Sequence, residues 1–264
     1  MVAYKRWAAW WMLRKHLVQA RFQLRKQSRG WILGRIACLG HDVLGRMCLE
    51  STLWNIQKGR VDYLVRLQRD ATIRPNTATV ARHMFREDII PLIQQQETAT
   101  SYTSTPPKLI LMDSFSELTD QLFIHAKNRW EFCCNYGDIS DTDEFRDKFE
   151  KHGLLPIEEI DAWYRELFFN LRTRYGEIPI VFMHFPTKLD PRQIFHDRAK
   201  AIHESIQQLS LELTSLYSIS VDNAIVDWPE KHGTQEFPDN FPYHYNNRTY
   251  EEFRLKVEAS LAGT

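Results

Sequence analysis

Leu109-Ile-Leu-Met-Asp-Ser114 decides how this chain of 264 residues is read. Four apolar residues run directly into an acid and a hydroxyl. Pro106-Pro107 stands just before them and the helix-like Ser116–Phe123 segment just after. A short continuous apolar run bounded by turn signals is the pattern of a buried strand, parallel and covered by helices on both faces. In an open α/β sheet, ligands sit at the carboxyl ends of such strands, so Asp113 and Ser114 stand where chemistry is done.

A second run of this kind, Ile178-Pro-Ile-Val-Phe-Met-His-Phe-Pro186, predicts a buried strand ending at His184. Between the two, Ile157–Tyr175 carries Ile160, Trp163, Tyr164, Leu167, Phe168 and Leu171 on one helical face, with Gly176 at the C-cap position. A long helix over 191–217 leads to a shorter strand over 218–223. Strand, helix, strand, helix and strand in this order predict a three-layer α/β sandwich with a central, mostly parallel sheet. Upstream, Trp31–Gly40 is an apolar run ending in glycine and predicts a first strand. His41 and Asp42 then open a helix that reaches about Leu53. That junction suits a ligand, because glycine allows a tight turn and helix N–H groups point outward; it equally suits an ordinary turn with Asp42 as cap. Val61–Arg66 predicts a short strand and Thr79–Gln96 a helix interrupted at Pro91. Residues 94–107 form a polar loop and Asp138–Asp147 an acidic surface excursion.

The charge is unevenly placed. Residues 1–46 hold ten Lys and Arg against one acid, Asp42, so a basic arm precedes an acidic body although the whole chain is neutral. Residues 3–28 predict one helix that interleaves Trp7, Trp10 and Trp11 with basic residues. It suits peripheral contact with an anionic membrane, a partner, or packing on the body with snorkelling stems. The expected division is residues 1–30 as this arm and 31–264 as a single α/β domain. No stretch of about 18 uninterrupted apolar residues exists. Charged residues break up any signal-peptide core. Cys38, Cys48, Cys133 and Cys134 have no CxxC spacing, so neither a disulfide framework nor a metal site is expected, and a cytoplasmic setting with the option of membrane association follows. Phosphate-loop and dinucleotide fingerprints are absent, so no cofactor is expected. The acidic body and the lack of a known module argue against nucleic acid.

Polar groups therefore collect on one sheet edge: His41 and Asp42, Asp113 and Ser114, His184, and Asp222. The loop Phe237–Tyr250, dense in Pro, Asn and aromatics, adds His244 before a final helix near Thr249. This order resembles the SGNH/GDSL hydrolase superfamily, and more narrowly the SGNH-like proteins of bacterial capsule and exopolysaccharide gene clusters, over roughly residues 35–255. Pro242–Phe253 (PYHYNNRTYEEF) looks like the late histidine block, LILMDS like the third-strand block, and Ile36–Asp42 (IACLGHD) like the first block. The resemblance implies a flavodoxin-like/SGNH sheet and an esterase or acyltransferase acting on an acylated carbohydrate. It implies His244 as base and Gly40, His41, Asp113, His184, Arg192 and Tyr243 as substrate-binding or oxyanion contacts.

The first block departs from the pattern: Gly40-His41-Asp42 stands where Gly-Asp-Ser is expected. In the late block Phe241 replaces the acid three residues before the histidine, and Asp239 lies two residues too early. A serine triad needs nucleophile, base and orienter within hydrogen-bond reach. Three readings stay open. Ser114 acts as nucleophile with His244 as base and Asp239 as orienter; Asp42 acts as base or nucleophile with His41 and His244; or the scaffold only binds a glycan or partner.

Overall fold

The computed structural model describes residues 30–263 except 48, 50, 100–104, 237 and 240. The expected basic helix over 3–28 lies outside the described residues. Five strands, β1 (Trp31–Arg35), β2 (Thr52–Asn55), β3 (Leu109–Asp113), β7 (Ile180–Met183) and β8 (Leu216–Ile219), form one wholly parallel sheet in the order β2-β1-β3-β7-β8. Helices α1 (Cys38–Arg46) and α9 (Asn247–Ala262) pack together on one face. Helices α2 (Val61–Arg69), α7 (Ile160–Tyr175) and α8 (Gln193–Glu212) cover the other. This is the three-layer α/β sandwich. Among the described residues no helix is long and apolar enough to cross a membrane.

Both decisive runs form buried strands, because covering a sheet on both faces leaves no position for a polar residue until the strand ends. The chain reverses direction in the sheet between β1 and β3, the topological switch point where doubly wound sheets leave a crevice.

Several elements differ from the sequence expectation. The first helix ends at Arg46, and Thr52–Asn55 is a strand where a helix to about Leu53 is expected. The helix-like Ser116–Phe123 becomes strand from Asp120. The helix expected over 191–217 ends at Glu212, and its strand is Leu216–Ile219. The loop expected over 94–107 is still helical to Thr98. β1 stops at Arg35, and α1 begins at Cys38, not after Gly40. Gly40 is thus inside the helix, where an added Cβ would stand 2.3 Å from the Ile36 Cβ: this glycine lets the first turn of α1 lie against the strand tip. Val61–Arg66 is part of α2: Val61, Asp62, Tyr63, Leu64 and Val65 are all buried, a run that reads as a strand, while Asp62, Arg66 and Arg69 fall at helical spacing on one face. Helix α4 (Ile90–Thr98) is shorter than the expected Thr79–Gln96 helix and carries Pro91 in its first turn.

A second, antiparallel sheet follows β3 and the short helix α5 (Phe115–Thr119), with β4 (Asp120–His125) between β5 (Glu131–Asn135) and β6 (Phe149–Gly153). Its own aromatic core includes Phe123, Trp130, Phe132, Phe145 and Phe149. The Gln96 side chain closes one edge of it, donating to the Cys133 carbonyl at 2.7 Å and accepting from the Cys133 N–H at 2.8 Å.

Buried charge locks the layers. The Arg35 guanidinium, at the end of β1, donates to Glu117 Oε1 (2.5 Å), the Gly59 carbonyl (3.2 Å), the Asp113 carbonyl (2.8 Å) and the Tyr164 hydroxyl (3.1 Å). Glu117 also accepts from the Val61 N–H (2.8 Å) and the Tyr164 hydroxyl (2.5 Å). Burial opposes the charge on Arg35, but Glu117 and Tyr164 outweigh it and raise its pKa. Breaking one side of such a pair strands the other charge, at a cost of about 3–5 kcal/mol. Glu117→Leu is therefore expected to lose about 3–5 kcal/mol in urea unfolding, and Arg35→Met/Glu117→Leu to recover most of that loss. A single variant within about 0.5 kcal/mol of wild type would show that the pair carries no such constraint.

Candidate active site

The switch point is built from the tips of β1 and β3. Asp113 faces α1: its Oδ2 accepts from the Ala37 N–H at 2.6 Å and its Oδ1 from the Phe115 N–H at 3.1 Å, so one carboxyl group bridges both loops. Burial pushes this carboxyl up to about 7, against the lowering effect of the two amides and Arg35. From β2, Asn55 clasps the same turn, accepting from the Ile36 N–H (3.0 Å) and donating to the Ile36 carbonyl (2.8 Å).

The turn so fixed delivers Cys38 as the first residue of α1, with Ala37 at the N-cap. Cys38 stands three residues beyond the end of the first strand, whereas the sequence reading placed the nucleophile position at His41 or Asp42, three or four residues further on. The half-buried thiol donates to the Tyr243 main-chain carbonyl at 3.6 Å, one residue before His244. Burial pushes the thiol up to about 12, and Asp113 and Asp42 add to this, so at rest it is protonated. His244 is half-buried, with its ring 4.6 Å from that of Phe241. Burial lowers its pKa and the nearby Asp42 partly restores it; the imidazole is neutral at pH 7. His41 is lowered in the same way, and its Nε2 sits 3.0 Å from Asn55 Nδ2, a donor, so Nε2 is the accepting nitrogen. Cys38, His41, Asp42, Asp113 and the His244 loop thus share one edge.

Other expected site residues are placed differently. Ser114 is 1% exposed, and its hydroxyl accepts from the Phe185 N–H at 2.9 Å, bracing β3 against β7; it cannot be reached as a nucleophile. Asp239 pairs with His232 at 3.0 Å and does not orient His244. Asp42 stands in the second turn's approach on α1, not at the helix cap. His184 turns to the α8 side, its Nε2 2.9 Å from Ser218 Oγ and its ring 4.6 Å from that of His203; burial, then His203, lowers it to about 3. The buried Tyr243 side chain is directed away from the thiol and donates to Asp190 at 2.5 Å. Arg192 holds Asp190 in a bidentate pair (2.8 and 2.7 Å) and lines an open cleft of about 510 Å³ with Trp228, Asp239 and Pro242. The His232 ring stacks on Trp228 at 3.9 Å. Among the described residues, no group of three or more His, Cys, Asp or Glu side chains is arranged to hold a metal ion.

No protein-family model matches the chain, and neither does any curated protein. Among solved structures, the chain is similar to the salicylyl-acyltransferase SsfX3 from a tetracycline biosynthetic pathway, with a TM-score of 0.39 and 12% identity over 90% of this chain and 55% of that one. The chain therefore spans about half the length of that structure.

The Asp113 carboxyl gives a pH test. Between about pH 4 and about pH 7 the folded state keeps a proton that the unfolded state has released, so this group's contribution to stability falls as pH rises through that window. The stability difference between wild type and Asp113→Asn is expected to be largest near pH 4 and to shrink toward pH 7 in urea unfolding. A difference that grows with pH would contradict the raised carboxyl.

Proposed function

We propose that the chain catalyses acyl transfer, as an SGNH-like esterase or O-acyltransferase acting on an acylated carbohydrate, with the Cys38 thiol in the nucleophile's place. The observation that carries this reading is the thiol at the head of α1, at the switch point, hydrogen-bonded to the residue that precedes His244. The neutral His244 takes the Sγ proton as sulfur bonds to the acyl carbon and the carbonyl electron pair moves onto oxygen. First-turn amides of α1 have no partners within the helix and suit that developing oxyanion. Collapse expels the sugar alkoxide, which takes the proton from His244 and leaves a thioester on Cys38. Water or a second hydroxyl then gives its proton to His244 as its oxygen bonds to the thioester carbon; collapse breaks the carbon–sulfur bond, and the departing sulfur takes the proton back from His244.

Asp42 favours the imidazolium that forms twice in this cycle. Asp113 is a positioning residue, because it holds the Ala37 amide and with it the turn that carries Cys38. The neighbouring cleft lined by Arg192, Trp228 and Pro242 would take the carbohydrate. The same cleft would serve the rival reading, a non-catalytic glycan-binding scaffold.

The test is turnover of acetyl aryl esters and acetylated oligosaccharides by wild type, Cys38→Ala, His244→Ala and Ser114→Ala, each checked for folding by circular dichroism. Cys38→Ala and His244→Ala are expected to lose at least about a hundredfold in kcat, while Ser114→Ala stays active. The wild-type rate is expected to fall with acid as His244 takes a proton below its usual pKa. No turnover by wild type, together with saturable oligosaccharide binding, would replace this reading with the scaffold.

A further inference from the structure

The wholly parallel sheet gives the domain two unlike ends. The carboxyl ends of the strands carry Cys38, Asp113 and the His244 loop. At the amino ends the basic arm joins the domain through Gly30, one residue before β1. Residues 1–30 hold eight of the 34 Lys and Arg of the chain and none of its 34 acids, so this segment carries +8 and the remainder, with 26 against 34, carries −8. The same segment places Trp7, Trp10 and Trp11 among its basic residues.

The surface of the domain at this end departs from the domain's net charge. Gly30 lies against the exposed Lys108, the residue before β3: an added Cβ on Gly30 would stand 3.2 Å from the Lys108 Cδ. Arg74, also exposed, shares the mouth of an apolar-walled cavity of about 330 Å³ with Ala71 and with Tyr175, the last residue of α7. Other exposed arginines are held by acids, as Arg129 is by Glu150 and Arg146 by Asp143. Among the described residues Lys108 and Arg74 form no such pair. The acids Asp70 and Glu177 stand at this end too, but each accepts from a threonine, Thr72 and Thr214. Leu211, in the last turn of α8, is 79% exposed, the most of any large apolar side chain among the described residues.

We propose that the amino end of the sheet, together with the arm, docks on an anionic lipid surface and leaves the Cys38 edge facing solvent. Acidic headgroups attract Lys and Arg at about fivefold per residue, and indole rings settle at the lipid–water interface. Lys108 and Arg74 extend the basic charge of the arm onto the domain, and Leu211 adds apolar surface beside them. Those two cations also repel the arm from its own attachment site, which opposes its folding back there. In this orientation the acidic bulk of the domain is turned away from the lipid charge that repels it. The inference does not depend on the acyl-transfer reading.

Co-sedimentation of the full chain with vesicles of phosphatidylcholine alone, and of phosphatidylcholine with about one-third phosphatidylglycerol, tests the proposal. Wild type is expected to pellet with the anionic vesicles only, and its affinity to fall at least about tenfold between roughly 0.05 and 0.5 M salt. Lys108→Glu/Arg74→Glu, checked for folding by circular dichroism, is expected to weaken binding about tenfold or more. A solvatochromic dye reports which end docks, in a Cys38→Ser/Cys48→Ser background. On Leu211→Cys its emission is expected to shift to the blue with anionic vesicles, and on Asn223→Cys, beyond the carboxyl end of β8, to stay in place. The proposal is overturned if wild type fails to pellet with anionic vesicles or pellets equally with neutral ones, or if the folded double variant binds as wild type does. It is equally overturned if the dye at 211 does not shift or that at 223 shifts as much. Tighter binding of random-sequence duplex DNA than of the anionic vesicles would replace the lipid surface with nucleic acid.

Discussion

The buried ion pair between Arg35 and Glu117 is the constraint on which the other layers depend. A guanidinium at the end of a central strand, only 2% exposed, needs protein acceptors for most of its donors. It takes them from the loop before α2, from the β3 tip, from α5 and from α7. Arg198 on α8 then donates to the Glu117 carbonyl twice and to the Leu155 carbonyl, drawing the remaining helix of that face into the same cluster. The geometry of the β1 and β3 ends is thereby held from beneath, which a purely apolar core would specify less narrowly.

On the opposite face the same two strand ends carry the candidate chemistry. The carbonyl of Asp113 is bound by Arg35, and its side chain is bound by the Ala37 and Phe115 amides. One residue therefore couples the ionic lock to the turn that presents Cys38. The electrostatics resist a standing thiolate, since burial and two carboxylates hold the thiol high while burial holds His244 low. Such a pair is inert at rest; in the proposed acyl transfer it would react only as a substrate carbonyl draws the sulfur electrons while the proton leaves.

The parallel sheet was legible in the sequence because β3 and β7 are continuous apolar runs cut off by polar residues and proline. The site was legible only in part. Ile36, Ala37 and Leu39 are as buried as the strand before them, so hydrophobicity gives no sign that the strand has ended at Arg35 and that a helix has begun. Gly40 was the natural place to set the turn, and the nucleophile position moved with it to Asp42. Cys38 was then read as one more apolar residue. Helix α2 was missed because Tyr63, Leu64 and Val65 form a short apolar run that reads as a strand, although Asp62, Arg66 and Arg69 stand at helical spacing; Asp62 is buried and its charge is met by Arg60 at 2.6 and 2.7 Å. Asp113 and His244 drew attention because an acid at a strand tip and a histidine in an aromatic, proline-rich loop stand out against their neighbours. Pairing across the fold, as between Asp239 and His232 or Ser114 and Phe185, leaves no local trace in a sequence.

The most direct test of the account is to trap the acyl group. Wild-type protein mixed with an activated acetyl ester, quenched in acid and mapped by peptide mass spectrometry is predicted to carry one acetyl group on the Cys38 peptide. That group should be released by neutral hydroxylamine and be absent when His244 is alanine. Acetyl on the Ser114 or Asp42 peptide, or an unmodified Cys38 peptide during turnover, would contradict the assignment of the thiol as nucleophile.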